Sequence, residues 1–329
     1  MNRRLFITST AAVTLAVSSA PRRSAAQGAG KLARIGWLTA QQAPSLAPYV
    51  EVFRAGLAEL GYNEGRNLAI EFRYGNDKIE RVPDLAAELV RLPVDLIVAQ
   101  GAAVFEISRL GLPVPVVYVY SGDPISAGFA ESLSRPRGNM TGLTFMAVEL
   151  NGKRLELLRE INPRLQRVAL IANPEHPGEQ LERAYCDTTA RRLAISLDYY
   201  PTPTHDQLLR AYAAMTADPP QAISIFADGF AIQYRKSIID FAMSRKIPVI
   251  SGWPVFADSG ALCTYGPRLS ESYRRLASYV DRVLKGAKTT DLPIEQPSKF
   301  EMVVNLKTAS ALGIAIPQSV LLRADRVIE

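Results

Sequence analysis

Hydrophobic and polar positions follow two rhythms that take turns from residue 33 onward. Residues 33–38 are a short apolar run of strand length. Val50, Phe53, Leu57 and Leu60 then fall at helical spacing, which predicts a helix over 49–60 ended by Gly61. Leu68, Ile70, Phe72 and Tyr74 alternate and predict a half-buried strand. A helix over 83–92, a strand over 95–99, a helix over 102–110 and a strand over 114–120 follow. Strands joined by helices in this order build a parallel sheet with both faces covered.

The same rhythm then starts again. A helix over 149–161 leads to a strand over 167–172 whose apolar run resembles residues 33–38. Helices over 179–193 and 206–216 alternate with strands over 195–200 and 222–226. One helix over 230–244, a strand over 248–251, a strand over 260–264 and a long helix over 269–284 complete the pattern. Two successive α/β units of roughly 120 residues each are the simplest architecture. No Gly/Ser-rich linker separates them, which predicts short crossings rather than a flexible tether.

The N-terminus changes the view of charge. Arg3 and Arg4 precede an apolar or small uncharged run to Ala20, and Ser24-Ala25-Ala26 suits a signal peptidase. Residues 1–26 therefore read as a secretory signal peptide, with a mature start near Gln27. Asn2-Arg3-Arg4-Leu5-Phe6-Ile7 resembles a twin-arginine signal, and the Sec route stays open beside it. The chain holds 38 basic and 32 acidic residues; four arginines lie in the leader, so the mature balance is 34 against 32. No basic stripe remains for a nucleic-acid partner. Cys186 and Cys263 read as small buried residues, and neither has metal-ligand spacing.

In open parallel sheets, ligands sit beyond the carboxyl ends of the strands. Those positions hold Thr39 and Gln41, then Gln100, Gly101 and Ala102, then Asp123 in the first unit. They hold Asn173, Asp228 and Trp253 in the second. Several of these loops enter a helix, whose free N–H groups favour a carboxylate. Trp37, Phe145, Phe226, Phe230, Trp253 and Tyr265 lie near strand ends or crossings, where an aromatic ring stacks on a ligand or fills the core. Each loop also has a plainer account, because Asn, Asp, Gly and Pro serve as turn and cap residues. His176 and His205 have no local nucleophile arrangement, and no GxSxG elbow, P-loop or dinucleotide fingerprint is present. No catalytic residue, metal or cofactor is expected; an Asp123/Asp228 acid–base pair is the enzymatic alternative.

The residues together resemble the ABC-transporter substrate-binding proteins related to the tryptophan/tyrosine-binding group. The specific match is the stretch 281–329, beginning DRVLKGAKTTDLPIEQPSKFEMVVNL. Phe53-Arg54-Ala55-Gly56-Leu57, Asp123-Pro124, Asn139-Met140-Thr141-Gly142 and Tyr265-Gly266 add to it. The resemblance implies a type I periplasmic-binding-protein fold, two doubly wound parallel-sheet lobes that close like a Venus flytrap. One lobe is expected to comprise 27–146 plus roughly 267–297. The other is expected to comprise 147–266 plus 298–329. The implied function is the exported solute-binding component of an ABC importer, a periplasmic monomer that holds a small polar organic ligand and meets a membrane permease. A sensory-receptor partner is the alternative binding role. Carried over by position, the ligand residues are Thr39, Gln41, Gln100, Gly101, Ala102 and Asp123 on one side. Asn173, Asp228 and Trp253 face them, with Tyr265 near a crossing. Ala102 stands where members often carry Thr or Ser.

Overall fold

A computed structural model describes residues 32–76, 78–146, 148–226 and 228–329. The expected signal peptide and the start at Gln27 lie outside the described residues. The first sheet forms from the strands the alternation predicts, with small shifts at their ends. They are β1 (Ala33–Thr39), β2 (Leu68–Tyr74), β3 (Leu96–Gln100) and β4 (Val116–Tyr120). A short hairpin of β5 (Ala130–Ser132) and β6 (Arg135–Pro136) leads to β7 (Met140–Thr144), which the pattern did not reveal. The five-stranded sheet runs β2-β1-β3-β4-β7 with every neighbour parallel.

Period-2 geometry sends successive side chains to opposite faces. In β3, Leu96 and Val98 join Ile35 and Trp37 on one face, under α1 (Ala43–Glu59). Ile97 and Ala99 join Leu38 and Tyr118 on the other, under α2 (Val82–Arg91) and α3 (Ala103–Leu110). Helix α1 begins six residues before the predicted start, because Pro44 occupies its first turn, where a missing N–H costs nothing.

Beyond β7 the chain enters α4 (Glu149–Ile161) and builds a second sheet. Its elements are β8 (Arg167–Ala172), α5 (Glu179–Leu193), β9 (Ser196–Pro201), α6 (His205–Ala217) and β10 (Ala222–Ile225). The single helix expected over 230–244 is two, α7 (Gly229–Gln233) and α8 (Arg235–Ser244), because Tyr234 leaves helical geometry at ψ 9°. Then come β11 (Val249–Ser251), α9 (Pro254–Asp258) and β12 (Cys263–Pro267), the last lying three residues later than its pattern suggests.

The chain now returns to the first sheet. Helix α10 (Leu269–Leu284) buries Leu269, Tyr273, Leu276, Ala277 and Val280 against the same face as α1. Leu292 packs there too, Ile294 joins the core on the opposite face, and Glu295 bridges Leu143 of β7. The chain then crosses back to β13 (Phe300–Asn305), α11 (Leu306–Leu312), α12 (Gln318–Leu321) and β14 (Arg326–Ile328). The seven-stranded second sheet runs β14-β13-β12-β11-β10-β8-β9, and β13 is antiparallel to β12. Its parallel part repeats the order of the first sheet, so the molecule consists of two doubly wound lobes, as the sequence pattern implied. No helix among the described residues is long and apolar enough to cross a membrane. Cys186 and Cys263 are free buried thiols, and burial pushes both up to about 12.

Candidate functional site

The carboxyl ends of both sheets face one cavity of about 410 Å³. From the first lobe, β1 delivers Ala40 and Gln41, β3 delivers Gln100, Gly101 and Ala102, and β4 delivers Tyr120 and Ser121. From the second, the loop after β8 brings Asn173, Glu175, His176 and Pro177. The loop after β10 brings Asp228 and Gly229, and the loop after β11 brings Trp253. Gly101 turns β3 into α3 with a left-handed φ of +65°, a conformation that a side chain disfavours. Helix α3 thus starts at the cavity wall, where the Val104 and Phe105 N–H groups donate to the Gly101 and Ala102 carbonyls at 3.1 and 3.2 Å and no side chain caps the first turn.

Seven of the sequence-predicted ligand residues meet here: Gln41, Gln100, Gly101, Ala102, Asn173, Asp228 and Trp253. Three do not line the cavity. Thr39 is completely buried behind it, where its hydroxyl donates to Gln100 Oε1 at 2.6 Å and accepts the Gln41 N–H at 3.1 Å. It shapes the wall without forming it. Asp123 is turned onto its own loop, accepting from the Ile125 and Ser126 N–H groups at 3.0 and 3.1 Å and from the Ser126 hydroxyl. Tyr265 lies on β12 with its ring 6.4 Å from Phe300, facing a separate hollow with Met302. Two further aromatic expectations become core: Trp37 is 0% exposed and Phe226 is buried.

Asp228 is buried at 4% exposure and caps α7, its Oδ1 accepting the Ala231 N–H at 2.7 Å. Asn173 Oδ1 accepts the Glu175 N–H at 3.0 Å. Asp228 therefore caps a helix and Asn173 closes a turn, and both still border the cavity. Asp123 and Asp228 are each engaged with backbone donors of their own loops, which is cap chemistry rather than the geometry of an acid–base pair.

The pattern also missed wall residues. Phe105 and Glu106 stand one turn into α3 from Ala102, and Ile232 and Gln233 one turn into α7 from Gly229. The i, i+3 and i+4 spacing that puts such residues on one helix face was the available signal. Glu106, Glu175 and Asp228 are the acids of the wall, and no lysine or arginine stands among the described residues lining it.

The lobes touch along the cavity wall. Ser121 Oγ lies 3.0 Å from His176 Nε2, and the Asp123 N–H donates to the Pro177 carbonyl at 3.0 Å. The Tyr120 ring stacks over His176 at 6.2 Å, and burial raises its phenol well above the ordinary tyrosine range. Trp253 meets Phe145 edge-to-face at 6.0 Å and packs against the cores of both lobes. Among the described residues no cluster of three His, Cys, Asp or Glu side chains suits a metal ion.

The family model described as ABC transporter substrate binding protein matches residues 35–328. A "Tyrosine-binding protein" from Clostridioides difficile is 22% identical over 286 residues, 82% of this chain and 78% of that protein. Two solved structures share the fold. One is a conserved domain protein from Vibrio cholerae, with TM-score 0.82 and 23% identity over 90% of this chain and 100% of the other. The second is an ABC domain from Streptococcus pneumonia in complex with L-Trp, with TM-score 0.82 and 24% identity over 90% and 99%.

Proposed function

Because the chain belongs to the ABC transporter substrate-binding protein family, we propose that it is the exported capture component of an importer, with an amine-bearing ligand held between its lobes. One observation carries this reading: a 410 Å³ cavity walled by strand ends of both sheets, containing three carboxylates and no lysine or arginine among the described wall residues. A wall of that sign attracts a cationic group and repels an anion. The start of α3, which no side chain caps, turns the positive end of the helix dipole to the wall and suits a carboxylate, so an amino acid meets both features. Phe105, Phe230 and Trp253 supply faces for its side chain. The printed name of the Clostridioides difficile relative and the L-Trp complex favour an aromatic amino acid.

In this reading, residues 27–146 with 267–297 form one jaw, and 147–266 with 298–329 form the other. A ligand touching both jaws favours the closed state by the difference in its affinity for the two states. The protein leaves the cytoplasm through its N-terminal signal, stays monomeric and delivers the ligand to a permease.

Calorimetry with three probes of one shape tests the ligand class. L-tyrosine and tyramine bind, and 4-hydroxyphenylpropionate, which lacks the amine, binds at least about tenfold more weakly. Equal binding of the anionic probe overturns the charge reading. N-terminal sequencing of the periplasmic fraction tests export, and an intact Met1 terminus in the cytoplasm overturns it.

A further inference from the structure

The positive charge absent from the cavity wall sits directly behind it. Arg154 on α4 is 5% exposed, the single buried lysine or arginine among the described residues. A buried guanidinium is costly unless its donors are satisfied and an opposite charge is near. Arg154 meets both conditions. Its Nε donates to the Tyr265 carbonyl at 2.8 Å, and its Nη1 donates to Asn151 Oδ1. Asn151 in turn donates to Glu182 Oε1 at 2.9 Å, and the Glu182 charge acts on Arg154.

The remaining nitrogen, Nη2, lies against Gly252. A Cβ built at Gly252 runs into the guanidinium, and one built at Gly266 runs into the Gly252 carbonyl oxygen. Two backbones and a planar cation therefore stack at one point. Gly266 belongs to β12, just before the chain crosses to α10. Gly252 directly precedes Trp253, whose ring stands in the cavity wall. The fork of Arg154 joins the crossing strand, α4 and the Trp253 loop, which no apolar side chain of equal volume does.

We infer that Arg154 is a positioning residue for ligand capture: it holds the Gly252–Trp253 loop onto β12 and so sets the Trp253 ring in the cavity. The inference rests on the cavity being the ligand site, but its main readout needs no ligand. The chain has two tryptophans, and Trp37 is completely buried, so collisional quenching by acrylamide reports Trp253.

The experiment compares the parent with Arg154→Met/Glu182→Gln, which removes the guanidinium and the Glu182 charge that acts on it together, and with Arg154→Lys, which keeps the charge and loses the planar fork. Both variants are expected to show red-shifted Trp253 emission and stronger acrylamide quenching in the folded state. L-tyrosine affinity is expected to fall about tenfold or more, the scale of a site whose supporting shell is lost. A purely structural role for Arg154 lowers the melting temperature and leaves quenching and affinity of the folded protein as in the parent. That result in the double variant overturns the inference. If the double variant does not fold, Arg154→Lys decides by the same criterion. Failure of L-tyrosine to bind even the parent counts against the ligand reading alone, and the quenching comparison still judges Arg154.

Discussion

Thr39 offers a test that separates touching a ligand from supporting the wall that touches it. Thr39→Val keeps the shape and removes the hydroxyl. That hydroxyl is the donor to Gln100 Oε1 at 2.6 Å and the acceptor for the Gln41 N–H at 3.1 Å. Gln100 is 2% exposed, so water does not replace the lost donor there. A buried acceptor left unpaired costs about 1–3 kcal/mol. The Gln41 N–H is half-exposed and regains water, adding under about 1 kcal/mol. The sum is about 1–4 kcal/mol. With a urea m-value of about 3 kcal/mol/M for a chain of this size, the unfolding midpoint falls by about 0.3–1.3 M. Urea titration followed by far-UV circular dichroism measures it. A direct ligand contact at Thr39 gives the opposite signature, with affinity lost and the midpoint unmoved. A midpoint within about 0.2 M of the parent refutes the supporting role.

Further outcomes follow from the same geometry. Asp228→Asn keeps an N-cap acceptor for the Ala231 N–H, since Asn caps as well as Asp, and removes the charge. Its melting temperature stays near the parent's while tyramine affinity falls about tenfold or more by calorimetry; unchanged affinity in the folded variant removes Asp228 from the site. Cys186 and Cys263 are buried with thiols pushed up to about 12, so a thiol-exchange reagent at pH 8 reacts with the native protein only through unfolding, and prompt reaction of either contradicts that burial. The same shifts make stability pH-dependent with a definite sign. A folded pKa raised above the unfolded value stabilises fully below the unfolded value, about 8.5 for a thiol, and that contribution is lost as pH rises toward about 12. Tyr49 and Tyr212, also pushed up to about 12 by burial, act in the same direction. Urea midpoints therefore decline between about pH 9 and 12, and a flat profile there contradicts the shifts.

The α/β rhythm and most of its elements were legible in the sequence, because strand and helix periods depend on local spacing alone. Helix α4, β8, α5 and α10 have the bounds their apolar spacing predicts. The loops after strands were legible for a related reason. In a doubly wound sheet every parallel strand ends on the same edge, so chain order already names the edge residues. Gln41, Gln100, Gly101, Ala102, Asn173, Asp228 and Trp253 border the cavity for that reason.

What the sequence left open concerns direction and distance. Whether Thr39 faces the cavity or Gln100, whether Asp123 faces a ligand or its own turn, and whether Tyr265 faces the cleft or Phe300 depends on side-chain orientation. Residues far apart in the chain set that orientation. Strand β7 has no strong alternation of its own and forms because β4 supplies a parallel neighbour. Strand β13 likewise forms by pairing antiparallel with β12 across the return from α10. Arg154 had no signal in the sequence, which shows neither its burial nor the close approach of Gly252 to its guanidinium. Local spacing thus determined most of the elements and which loops reach the carboxyl edges of the sheets. The packing of two lobes decided which atoms in those loops face the cavity, because only there do long-range contacts choose among rotamers that local spacing permits equally.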